Sequence, residues 1–77
     1  MAGKKEQETG NLFATVFKGK TYTCYDKEAY CWNDFGKHDL TGKLVTVLMI
    51  SGDYACVELA SDRTKNFDVK LDTLKKC

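Results

Sequence analysis

Cys24, Cys31 and His38 stand seven and seven residues apart, and with Cys56 they are the natural candidates for holding a metal ion. A zinc site needs thiolates and imidazole converging at about 2.0–2.3 Å on one ion, and structural sites usually anchor it with tight C-x2–4-C pairs, because a short knuckle fixes two ligands at once. No pair here is that close. The spacing therefore predicts no structural metal; if an ion is held, its ligands are to be sought among Cys24, Cys31, His38 and Cys56. The same residues allow a Cys–His nucleophile, with Cys24 or Cys31 activated by His38. Asp34 and Asp39 lie near enough in sequence to orient the histidine, but nothing specifies an oxyanion hole. Walker, GxGxxG, HExxH and GxSxG signatures are all missing from the sequence. No enzyme, catalytic residue or cofactor is expected.

Recognition is the better-supported chemistry. Tyr22, Tyr25, Tyr30, Trp32 and Phe35 place five of the nine aromatic residues within positions 22–35. Tyr22 and Phe35 read as plugs for the open end of a small barrel. Tyr and Trp dominate interface hot spots, which makes Tyr25, Tyr30 and Trp32 candidate partner contacts, with Asp34, Lys37 and Asp39 as rim charges. Trp32 fits either core or surface. A stacking platform for single-stranded nucleic acid would interleave Lys or Arg among its aromatics. Lys27 and Lys37 are instead outnumbered by Asp26, Glu28, Asp34 and Asp39. The acidic excess favours a protein partner, and nucleic acid is the alternative, using a basic edge of Arg63, Lys65, Lys75 and Lys76.

Composition bounds both readings. Seventy-seven residues make one domain, and 43% apolar with 30% charged residues is the balance of a soluble globular protein. A chain this short has little room for a deep cleft beside a full core. Twelve basic against eleven acidic residues give a net charge of +1, which creates no long-range field for nucleic acid or an anionic membrane. The stretch "MAGKKEQETG" lacks the apolar region of a signal peptide, and the longest apolar run, Leu44 to Ile50, is far short of the ~20 residues that span a bilayer. These features predict a cytoplasmic chain with reduced thiols and no membrane contact. The Lys pairs Lys4-Lys5 and Lys75-Lys76 leave room for a local basic patch.

The elements that must position these residues are short strands. Residues 1–10 read as a disordered tail and 11–77 as one domain. "LFATVF" (12–17) and "KTYTCY" (20–25) suit strands about a turn at Lys18-Gly19. Asp26 would cap a helix through Phe35, stopped by Gly36, yet Asn33 and Asp34 are poor helix formers; helix and irregular loop both stay open for 26–36. "KLVTVLMI" (43–50) is apolar on both faces and reads as a central strand. After a turn at "SGD", "YACVELA" (54–60) and "FDVKL" (67–71) alternate, which puts Val45, Val47, Ala55, Val57, Leu59, Phe67, Val69 and Leu71 inside. "DTLKK" (72–76) reads as a helical turn tucking Leu74 under the sheet. The expected fold is mostly β: a small five-stranded SH3-like barrel, preferred over an OB-fold because the candidate helix comes too early in the chain.

The segment Tyr25-Asp26-Lys27-Glu28-Ala29 resembles the "ALYDYEA" motif of SH3 domains, and the preceding strand, the following meander and the closing "VKLDTLKK" fall in the SH3 order over residues 20–76. The resemblance implies a peptide groove lined by Tyr25, Tyr30 and Trp32. Where that family carries a Trp pair this chain has "DYACVE", and where it carries Pro and Tyr it has Asp72 to Leu74. The expected function is a non-enzymatic adaptor or inhibitor, monomeric or weakly dimeric, that works by protein binding. Size alone adds an analogy with compact viral (phage) and accessory proteins that dock on host machinery. A nucleic-acid-binding barrel and a zinc-stabilised adaptor are the alternatives.

Overall fold

The computed structural model describes residues 16–76. The expected tail at 1–10, most of the expected first strand (12–15), Lys4-Lys5 and Cys77 lie outside the described residues. Val16 and Phe17 precede the turn at Lys18-Gly19 and belong to no strand. Seven strands follow: β1 (Thr21–Cys24), β2 (Ala29–Cys31), β3 (Lys37–His38), β4 (Lys43–Ser51), β5 (Tyr54–Leu59), β6 (Asn66–Lys70) and β7 (Leu74–Lys76), with a 3₁₀ turn (Leu71–Thr73) before the last. They form one antiparallel sheet in the order β3-β2-β6-β5-β4-β1-β7. Among the described residues β3 and β7 are its edges, the hydrogen-bonded ring is not closed, and there are seven strands where the sequence predicts five.

Period-two alternation builds the core. Val45, Val47, Ala55, Val57, Phe67, Val69 and Leu71 are buried, and Leu59 packs against them partly buried. Val16, Tyr22, Cys24, Ala29, Cys31, Leu40 and Leu74 complete the same cluster. Full burial of one Val, Leu or Phe side chain is worth about 1.5–3 kcal/mol, so a core of this size carries a domain this small. In β4 the pairing shifts between Val47 and Met49, a β-bulge at Leu48. The extra residue reverses the facing: Val45 and Val47 point inward before it, and Ile50, opposite Ala55, packs on the core after it. This explains a run that looks apolar on both faces. Its outer side chains, Leu44 and Met49, are exposed. Gly52, at φ 58, makes the tight turn into β5.

Three local expectations are corrected. Neither helix nor irregular loop describes 26–36, because Ala29–Cys31 pairs with β6 on one side and with Lys37–His38 on the other. Asp26 does not cap a helix. It is buried; its Oδ1 accepts the Glu28 N–H at 2.8 Å and its Oδ2 accepts the Lys70 N–H at 3.0 Å, clasping the hairpin to β6. Phe35 does not plug the core. It is 74% exposed at φ 58, held at the hairpin tip by its N–H bond to the Cys31 carbonyl, whereas Tyr22 is buried and accepts the Phe17 N–H on its hydroxyl. "DTLKK" is helical only to Thr73. Leu74–Lys76 then pairs with β1, and Leu74 is buried as expected.

Asp26→Ala should cost roughly 2–4 kcal/mol, because two backbone donors lose a charged acceptor. Asp26→Asn should cost less, since its remaining carbonyl oxygen still serves one of them. Urea titration of the three proteins checks the order; equal stability of Asp26→Ala and wild type would remove the clasp from the account.

Candidate binding face

The pairing that buries Cys31 and Ala29 turns Tyr30 and Trp32 outward. Tyr30 lies opposite Asp68 on β6 and Lys37 on β3, Asp68 lies opposite Cys56 on β5, and Lys70 lies opposite Tyr54. These residues share the outer face of four adjacent strands. Tyr25 joins them at one end, fixed by its N–H bond to the Thr73 carbonyl of the 3₁₀ turn at 2.8 Å. Between them runs a shallow open groove of about 760 Å³, lined chiefly by Tyr25, Tyr30, Tyr54, Lys37, Asp68 and Lys70. Trp32 borders it. Its ring meets Tyr30 edge-on at 6.0 Å, its indole N–H donates to Asp68 Oδ1 at 3.1 Å, and it remains 51% exposed. Trp32 is therefore a surface residue.

Charge in the groove is mixed. Lys27, Lys37 and Lys70 face Glu28, Asp68 and Asp72, with Asp26 already engaged by two backbone N–H groups. The Lys37–Glu28 pair, at 3.7 Å and well exposed, contributes little to stability.

Of the sequence-derived contacts, Tyr25, Tyr30 and Lys37 come together in the groove and Trp32 stands beside it. Asp34 and Asp39 do not line it. Asp39 closes a turn by accepting the Thr41 N–H and hydroxyl, which holds its carboxyl below the usual range. Asp34 bonds His38 and the Gly36 N–H; the histidine is the main cause of its lowered pKa. Tyr54, Asp68 and Lys70 are among the groove residues that motif reading missed. The available signal was alternation, which turns all three outward in β5 and β6.

The possible metal ligands separate. Cys31 and His38 come together with Asp34, but Cys24 and Cys56 join no such group among the described residues. Cys24 is buried; desolvation pushes its thiol pKa up, against the bond its sulfur accepts from the Asp26 N–H. Cys56 is likewise pushed up, by burial first and then by the Asp68 charge. Neither shift favours a nucleophilic thiolate. Of the proposed basic edge, Arg63 and Lys65 lie in the β5–β6 loop, where Arg63 donates to Glu58, and Lys75 and Lys76 lie on β7. Three strands, β5, β4 and β1, separate β6 from β7 in the sheet order.

Among the described residues, no helix is long and apolar enough to cross a membrane. No family model, characterised protein or solved structure matches the chain.

Proposed function

We propose that this chain is a non-enzymatic binding module that takes a segment of another protein along the outer face of β5, β6, β2 and β3. One observation carries the reading: Tyr54 of β5 joins Tyr25 and Tyr30 in lining one solvent-open groove, with the half-exposed Trp32 at its border. Aromatic anchors with a charged surround are the anatomy of a protein-recognition surface. The groove's lysines are matched by carboxylates, which suits a peptide carrying both signs of charge better than a phosphate backbone. An SH3-like arrangement is part of the proposal. Its support is the order of elements: a strand, a long segment containing a hairpin, a three-stranded meander, and a closing 3₁₀ turn before the last strand.

A displayed random-peptide library panned on the immobilised protein tests this. The wild type should enrich related sequences, and the Tyr30→Ala/Tyr54→Ala double variant, folded by circular dichroism, should not. Equal enrichment on both, or displacement of enriched peptides by a single-stranded oligonucleotide, would contradict it.

A further inference from the structure

The β2–β3 hairpin has a second face. Ala29 pairs with His38 and Cys31 with Phe67, so these residues look away from the groove side of Tyr30 and Lys37. On this side the Cys31 sulfur, an Asp34 carboxylate oxygen and a His38 ring nitrogen lie within 4.8 Å of one another. We propose that Cys31, Asp34 and His38 form an exchangeable binding site for Zn²⁺, with the fourth coordination position open to water or to a donor from a partner. The proposal is independent of what the groove binds.

The donor set selects the ion. A thiolate and an imidazole disfavour Mg²⁺ and Ca²⁺, which take oxygen ligands, and suit a borderline divalent metal; three protein ligands with one open position is an established zinc arrangement. The geometry is close to ready. Tetrahedral zinc with bonds of about 2.0–2.3 Å places its ligand atoms roughly 3.5 Å apart, so no pair here has to move by more than about 1.3 Å. One pair, His38 Nε2 and Asp34 Oδ2 at 2.8 Å, is now joined by a hydrogen bond. An ion would replace that bond and the thiol proton, which leaves to solvent as the Zn–S bond forms.

The supports are also built. Asp34 Oδ1 accepts the Gly36 N–H at 3.0 Å, leaving Oδ2 for the ion. The His38 ring packs edge-on against buried Phe67 at 5.7 Å. Asn33 Oδ1 accepts the Asn66 N–H and Asn33 Nδ2 donates to the Thr64 carbonyl, anchoring the ligand loop to the β5–β6 connection; the bond that Oδ1 also accepts from the Cys31 thiol is given up with the thiol proton. Metal sites depend on such orienting bonds. A nucleophile is the weaker reading of the same cluster: Cys31 is 1% exposed and cannot reach an external substrate, whereas His38 and Asp34 have side chains 43% and 56% exposed and admit an ion from solvent.

Reduced full-length protein titrated with Co²⁺ should show, at one equivalent, a thiolate-to-cobalt charge-transfer band with the strong visible bands of tetrahedral cobalt, and Zn²⁺ should bleach both. His38→Ala and Asp34→Asn, at exposed positions, should each weaken affinity at least ~10-fold. Cys31→Ser should remove the charge-transfer band; should that buried variant not fold, His38→Ala decides alone. Cys56→Ser and Cys77→Ser should titrate as wild type. No thiolate band at stoichiometric Co²⁺, an unchanged titration in His38→Ala, or loss of the band in Cys56→Ser or Cys77→Ser would overturn the proposal.

Discussion

Val69→Asp should leave the protein unfolded at 25 °C. Val69 is fully buried in β6, opposite Ala55 of β5, and its neighbours Phe67 and Leu71 belong to the same core. An ionised carboxylate there has no cation facing it and would cost several kcal/mol, or would have to be buried protonated and still short of partners. A chain of this length has a total stability of only about 4–12 kcal/mol. Val69→Ala makes a cavity instead and should cost about 2 kcal/mol, lowering the melting temperature without abolishing the transition. Lys70→Ala, one residue on and exposed, should remain folded, because the backbone N–H that binds Asp26 is kept. Circular dichroism melts of the three variants check the series. A cooperative, near-wild-type melt for Val69→Asp would mean that β6 does not face the core.

The parts of the fold that were legible are those where alternation runs for five residues or more. Residues 67–71 and 54–59 show which side is buried without any knowledge of their partners. β4 was legible as a strand but not as a bulged one, since a bulge changes the facing and not the composition. The β2–β3 hairpin was illegible for a physical reason. Three residues opposite two carry no period, and they pair because Asp26 binds the Lys70 backbone 44 positions away and Tyr30 meets Asp68. Phe35 looked like core by residue type alone, yet the tip of that hairpin holds it outward. The groove was half legible. Tyr25, Tyr30 and Lys37 stood out within one dense stretch, whereas Tyr54, at the start of an ordinary hairpin strand, joins them only through the sheet order.

Trp32→Ala should weaken the binding of a selected peptide by at least ~30-fold, about 2 kcal/mol, while the protein stays folded. The two halves of that expectation have separate grounds. The fold should survive because the side chain is half exposed and outside the buried core; its lost contacts are one edge-on ring and one exposed hydrogen bond. Binding should suffer because Trp32 is a large, partly pre-oriented apolar surface. Its indole N–H is already held by Asp68, so little rotamer freedom remains to be lost when a ligand covers it. Asp39→Ala should change affinity only slightly, since that carboxylate serves the Thr41 turn. Calorimetric titrations of the three proteins with one selected peptide measure both effects. A large loss for Asp39→Ala with none for Trp32→Ala would move the partner surface off the groove.

The most direct test of the groove as the recognition surface is amide and indole chemical-shift mapping of the ¹⁵N-labelled protein as a selected peptide is added. The account predicts the largest changes at Tyr25, Tyr30, the Trp32 indole N–H, Tyr54 and Asp68 to Lys70, forming one patch across the outer face of β5, β6 and β2. Changes centred on Arg63, Lys65, Lys75 and Lys76, or on the exposed Leu44 and Met49 of β4, with the four aromatics unmoved, would contradict it.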